Sequence, residues 1–301
     1  MHIRVLGTLH AETAGVPIVP SAAKPRQILA LLALHSRHIV PVPDLMEEVW
    51  GADPPRSAPT TLQTYILQLR RRLRTALSEP GSRYADRGAG SGKARGAGRD
   101  TGAGQGSGPD TDKDILVTRH GGYQLEVPES AIDALEFERL TRAGHSAFES
   151  GDMARASRLL TAALALWRGP ALADLPHGKH LAIEVTRLEE SRLGAVERRI
   201  AADLRLGRHR EVLGELCALR GRYPLYENLH ALLMVAFHQD GRSSDALIAF
   251  KRLRATLVEE LGLEPSPRLD RLHQAILRGE DALSAWSDPA GAGEAAAGIA
   301  G

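Results

Sequence analysis

The segment Pro59-Thr60-Thr61-Leu62-Gln63-Thr64-Tyr65-Ile66-Leu67-Gln68-Leu69-Arg70-Arg71-Arg72-Leu73-Arg74-Thr75-Ala76-Leu77-Ser78 reads as one long helix with two unlike faces. Pro59 suits a first helical position, with Ala58 or Ser57 before it as the cap, because the N–H it lacks would be unpaired there anyway. At 100° per residue Leu62, Ile66, Leu69, Leu73 and Leu77 fall in a stripe about 80° wide, enough to face a core. The opposite side carries Thr60, Thr64, Leu67, Arg71 and Thr75, with Gln63, Gln68 and Arg74 on its flanks. Arg70 and Arg72 border the stripe. That face is basic, donates and accepts hydrogen bonds, and suits the reading of base edges in a DNA major groove.

The neighbouring segments complete a domain around this helix. Ile3 to Leu9 and Val16 to Val19 read as two short strands on either side of the turn-like Thr13 to Gly15. Ser21 is expected to cap a first helix with Pro25 in its first turn, running to about Leu34. Val40 to Val42 is a short extended link, and Asp44 to Trp50 a second helix closed by Gly51. Ala52 to Pro59 holds three prolines and reads as a loop. After the long helix, Ile115 to Thr118 and Tyr123 to Val127 form a hairpin about Gly121-Gly122. Strands, three helices and a hairpin in this order describe a winged helix-turn-helix.

In that arrangement Thr60, Gln63, Thr64, Gln68 and Arg71 face base edges, and Leu67 and the threonine methyls face thymine methyls. Arg70, Arg72, Arg74 and, on the wing, Arg119 face phosphates. Thr61 and Gly122 are counted in the same DNA-contacting set. The segment to Glu126 carries 16 basic against 12 acidic residues, so a chain of net charge +1 has its positive excess at the front, where a polyanion would bind.

Beyond Pro128 the pattern is helical. Gly151-Asp152, Gly207-Arg208 and Gly241-Arg242 are each followed by the same apolar spacing, and the last two glycines are 34 residues apart, the tetratricopeptide period. The first two are 56 apart, which leaves room for an insertion at about Arg168 to Leu181. The expected fold is therefore mainly α with a small β component, in which a winged helix-turn-helix precedes a tetratricopeptide-like all-α domain. The boundaries are 1–128 for the DNA-binding domain, 131–279 for the helical repeats and 280–301 for a disordered Ala/Gly tail. Gly81 to Asp112, with ten glycines in 32 residues, is a flexible insertion before the wing. Within it Gly88 to Ala94 imitates a phosphate-binding loop, but Arg87 and Ala94 stand where a Gly and a Ser or Thr belong.

Composition excludes several classes. The longest apolar run, Ile28 to Leu34, is far short of the roughly 20 residues of a membrane span, and Met1 to Leu9 is not ordered like a signal peptide, so a cytoplasmic protein is expected. Cys217 is the single cysteine, expected to be buried in an apolar helical pattern. His177 and His180 read as loop residues without a third metal ligand, and Asp133, Glu136, Glu138, Glu189 and Glu190 as exposed helix charges. No catalytic residue, metal site or cofactor is expected, and the chain reads as a non-enzyme.

Lys24-Pro25-Arg26-Gln27-Ile28-Leu29-Ala30-Leu31-Leu32, Val49-Trp50-Gly51, Thr61-Leu62-Gln63-Thr64-Tyr65-Ile66, Leu69-Arg70-Arg71, Gly121-Gly122-Tyr123 and Glu260-Leu261-Gly262-Leu263-Glu264-Pro265-Ser266-Pro267 are stretches over which the chain resembles the Streptomyces antibiotic regulatory protein family. The resemblance implies an OmpR-type winged helix followed by a bacterial transcriptional activator domain. It further implies activation of antibiotic biosynthesis genes through tandem direct repeats in promoter DNA and recruitment of RNA polymerase, with a homodimer, formed on DNA, as the binding species. The proline-rich loop cannot enter the groove while the long helix does, so its Asp53 and Arg56 are free to face a protein, by resemblance the sigma subunit of the polymerase holoenzyme. Leu67-Gln68 stand where family members usually have Ser-Arg, and the glycine-rich insertion is longer than usual. The rival reading is a helical-repeat adaptor that binds a peptide or small-molecule signal and is only weakly tethered to DNA.

Overall fold

The computed structural model describes residues 1–13, 15–78 and 115–287. The glycine-rich insertion 81–112, with its phosphate-loop lookalike, the side chain of Leu77 and residues 288–301 lie outside the described part. The chain divides into two compact units, Met1–Glu136 with Trp167–Glu189, and Phe137–Leu166 with the chain from Glu190.

In the first unit, β1 (His2–Arg4), β2 (His10–Thr13) and β3 (Val16–Pro17) form an antiparallel meander, three short strands where two are expected. The helices are α1 (Ala23–Leu34), α2 (Val42–Trp50) and α3 (Ala58–Ser78). Helix α1 starts without a side-chain cap, its N-cap being Ala22 rather than Ser21, and is buried from Gln27 to Leu34 on every side. It is the central rod of this unit, with α2, α3 and the wing packed around it. Strand β4 (Val40–Pro41) joins β6 (Gly122–Leu125), which pairs with β5 (Leu116–Arg119) in the order β4-β6-β5.

Residues 167–189 belong to this unit although they follow the first helix pair of the repeats. The Arg168 and Leu172 amides donate to the carbonyls of Leu6 and Val5 at 2.9 and 3.0 Å. Asp174 accepts from the Leu9 amide at 2.8 Å and pairs with Arg26. Glu48 of α2 is 2% exposed and accepts from the amides of Gly178 (2.7 Å) and Leu181 (2.9 Å). Those amides open α6 (Lys179–Arg205), so the buried carboxylate sits where the helix dipole and the unpaired N–H groups favour an anion. His180 is therefore helical rather than in a loop, and Glu47 accepts from it at 3.0 Å.

Asp133, expected as a surface charge, is buried instead. It accepts from the Val5 and Leu6 amides at 2.7 and 3.2 Å and from Arg168 at 3.0 Å. Burial pushes its carboxyl above the usual range against the pull of those partners.

The second unit is all helix: α4 (Asp133–Glu149, from Phe137 on), α5 (Met153–Leu164), the latter part of α6, α7 (His209–Arg222), α8 (Glu227–Gln239), α9 (Ser243–Leu261), α10 (Pro267–Arg278) and α11 (Ala282–Ser287). Three helix pairs turn alike. Gly151, Gly207 and Gly241 adopt φ of 84°, 74° and 76°, a region open to glycine, and the next amide in each case reaches back to Ala147, Asp203 and Phe237 at 2.9, 2.9 and 2.8 Å. The tetratricopeptide-like repeat is thus a repeated helix-ending device. Its core centres on α8, where Leu229 to Phe237 are all buried.

Two expectations fail here. Helix α7 buries only Val212 and Leu216, and Cys217, about 100° round from Leu216, is exposed. The Ala/Gly tail does not begin at 280, because Ala282–Ser287 form α11 with Trp286 8% exposed in the core.

Candidate nucleic-acid interface

Helix α3 separates its faces as its spacing requires. Ala58, Leu62, Ile66, Leu69, Leu73 and Ala76 are at most 4% exposed. Thr60, Gln63, Thr64, Leu67, Gln68, Arg71, Arg72 and Arg74 all lie exposed, and Thr61 half so. Leu67 is 62% exposed in the middle of that polar surface. Thr61 and Thr64 donate their hydroxyl hydrogens to the carbonyls of Ser57 and Thr60 at 2.9 and 3.0 Å. This fixes their rotamers and leaves oxygen lone pairs and methyl groups facing outward.

The wing is set by its register, Leu116 opposite Leu125, Val117 opposite Gln124, Thr118 opposite Tyr123 and Arg119 opposite Gly122. The two-residue turn is His120-Gly121, so Gly122 already lies in β6. Gly122 is buried, and a side chain there would overlap the Val40 carbonyl of β4. Its lack of a side chain serves sheet packing, a role apart from the DNA contact expected of it.

Arg70 also makes contacts within the fold. Its Nε donates to the Leu116 carbonyl at 2.9 Å and a terminal nitrogen to the Thr118 hydroxyl at 2.7 Å, with the guanidinium 6.0 Å from the Tyr123 ring centre. It ties α3 to the wing, so part of its donor set is engaged within the fold. Arg119 stays exposed but donates to Gln124 at 2.7 Å and pairs with Glu126. Gln124 in turn donates to the Arg37 carbonyl at 2.7 Å. The positive charge of Arg119 is thereby partly neutralised. Among the described residues Arg71 and Arg72 have no ion-pair partner, so their charge is not offset there.

Beside α3 stands an array that spacing alone did not pick out. Trp50, the last residue of α2, stacks on Tyr65 with ring centres 6.3 Å apart, and Lys24 at the start of α1 lies 5.0 Å over the Trp50 ring. Asp53 and Arg56 project exposed from the loop after Gly51. The signal available in the sequence was Tyr65 itself, an aromatic between the two faces of the helix.

Residues 132–277 match the family model of the bacterial transcriptional activator domain, and residues 18–90 that of the transcriptional regulatory protein C-terminal domain. The chain is 47% identical to the regulatory protein DnrI of Streptomyces peucetius over 283 residues, 94% of each chain. It is 33% identical to the regulatory protein AfsR of Streptomyces griseus over 288 residues, which are 96% of this chain and 26% of that one. A solved structure of Mycobacterium tuberculosis EmbR in complex with a low-affinity phosphopeptide matches it with a TM-score of 0.79 and 31% identity, covering 96% of this chain and 69% of EmbR. No helix among the described residues is long and apolar enough to cross a membrane.

Proposed function

The chain belongs to the Streptomyces antibiotic regulatory protein family, whose members are DNA-binding transcriptional regulators and not enzymes, and from that premise we propose that it activates an antibiotic or other secondary-metabolite gene cluster by binding tandem direct repeats in promoter DNA. The observation that carries this reading is the bare face of α3, polar and basic around an exposed Leu67 while the other face is buried. Thr60, Thr61, Gln63, Thr64, Gln68 and Arg71 read base edges, Leu67 meets a thymine methyl, and Arg72 and Arg74 contact phosphates. The wing presents Arg119 to the adjacent backbone. The winged helix within residues 1–128 is the DNA-binding domain, and the helical repeats, matched over 132–277 by the activator-domain model and carried on through α11, serve dimerisation on DNA. The exposed loop bearing Asp53 and Arg56 contacts the sigma subunit of RNA polymerase.

Footprinting of the purified chain on promoters beside its own gene tests the reading. Protection of two repeats in the same orientation, on one face of the duplex, is expected; binding without sequence preference favours the rival adaptor. Replacing Asp53 and Arg56 with Ala is expected to leave affinity unchanged and to lower transcription with purified holoenzyme. Undiminished transcription moves the polymerase contact elsewhere.

A further inference from the structure

The second unit carries a half-open cleft of about 520 Å³, lined by residues of α4, α6, α8, α10 and α11 and by Tyr226 ahead of α8. Its size is that of a site for a small organic molecule. The chain has only 12 Phe, Tyr and Trp residues, yet Phe148, Tyr226 and Trp286 all line this one space. Three guanidiniums, those of Arg198, Arg205 and Arg268, line it with one carboxylate, Glu197, and Arg198 also pairs with Glu149 at 3.8 Å. Each guanidinium lies over a ring: Arg198 and Arg205 at 5.2 and 4.6 Å from the Phe148 centre, and Arg268 at 3.8 Å from that of Trp286. Arg268 is also held by donation to the Trp286 carbonyl at 3.2 and 2.7 Å, which orients it and leaves further N–H donors on its plane.

The acceptor side of the cavity is incomplete. Glu197 Oε2 accepts from Asn228 at 3.1 Å. Burial, and then the neighbouring Glu197, push the pKa of the Tyr226 hydroxyl up to about 12, so it stays a neutral donor. Among the described residues Glu197 Oε1 and His145 Nε2 are buried with no partner. Burial, and then the nearby Arg198, hold His145 below the usual histidine range, so it adds no charge at neutral pH. Buried polar atoms left unpaired are costly, and a ligand hydroxyl would relieve the cost.

We propose that this cavity binds a small planar aromatic acid bearing a hydroxyl group. The ring lies beside Tyr226 and against the guanidinium planes held over Phe148 and Trp286, the carboxylate pairs with the guanidinium edges, and the hydroxyl donates to Glu197 Oε1. Three guanidiniums against the carboxylates of Glu197 and Glu149 leave the site net positive, which favours an anion, and charge-assisted bonds to arginine are the strong ones. Such a ligand would make the helical repeats a sensing unit, a role independent of the DNA-binding reading.

The full chain is titrated calorimetrically with 6-hydroxy-2-naphthoate, whose hydroxyl lies too far from its carboxylate to bond to it, its uncharged amide and an Asp/Glu-rich decapeptide. One saturable site for the naphthoate is expected, with affinity lower by about tenfold or more for the amide and for Arg268→Gln. Arg271→Gln, on the same helix outside the cavity, binds as the parent does. Because Arg268 also anchors α11, Arg198→Gln is measured beside it; that side chain is 41% exposed, and its loss is expected to weaken binding without loss of helicity. Absence of saturation up to about 1 mM, equal binding of the amide, parent-like binding by both variants, or tighter binding of the decapeptide each overturns the proposal.

Discussion

Helices α3 and α8 are both leucine-rich, yet one leaves Leu67 62% exposed and the other holds Leu233 at 0%. Helix α8 is packed by α7, α9, α10 and α11 and buries nine consecutive residues, Leu229 to Phe237. Helix α3 is packed by α1, α2 and β2, and its buried positions recur at every third or fourth residue. Apolar residues all round a helix report partners on all sides, and an apolar stripe reports a side left over. Among the described residues nothing covers that side. On α3 its polarity and charge fit nucleic acid.

The largest expected effect separates the two helices directly. Leu233→Ala opens a cavity in the second unit and is expected to cost about 2–5 kcal/mol of stability, whereas Leu67→Ala stays within about 0.5 kcal/mol. Urea unfolding midpoints check this, and similar losses for both would mean that α3 has no bare face. Next comes the tie between α3 and the wing. Arg70→Ala leaves the Leu116 carbonyl and Thr118 without their donor and is expected to cost about 1–3 kcal/mol, while Arg72→Ala costs less than about 0.5 kcal/mol. Faster amide exchange in β5 and β6 of the Arg70 variant alone would locate the loss.

A smaller effect belongs to the inside of α8. His230 is 3% exposed, bonds through Nε2 to the Pro224 carbonyl at 3.0 Å and has a buried Nδ1 without a partner among the described residues. Burial lowers its pKa below the usual histidine value, so the folded state favours the neutral ring. Its contribution is fully present above about pH 6.5 and is lost as pH falls through the lowered value. Stability of the second unit is expected to decline across that acid range, with a shallower decline for His230→Gln. Parallel pH profiles would remove His230 from the account.

Local periodicity made the α3 stripe, the hairpin and the glycine-ended helix pairs legible, because each depends on residues within a few turns of one another. What escaped depends on distant partners. Glu48 meets Gly178 and Leu181 across some 130 residues, and Asp133 meets Val5 across 128. No spacing rule marks either carboxylate as buried. Within the candidate interface the arginine run looked uniform, and only the register of the wing shows that Arg70 is engaged and Arg71 is not. Gly122 misled because glycines beside a turn resemble one another in sequence, although only Gly121 has the positive φ of 78°. Trp286, alone in an Ala/Gly stretch, was the missed sign that the fold continues past 280.

Arg71 stands at the centre of the exposed face of α3, the face proposed to read DNA. Fluorescence anisotropy of parent and Arg71→Ala on the footprinted repeat and on a scrambled duplex measures that role. The variant is expected to lose about 1–3 kcal/mol on the repeat and little of its preference-free binding to the scrambled duplex, with an unchanged unfolding midpoint. Parent-like affinity and the same ratio between the two duplexes would contradict it.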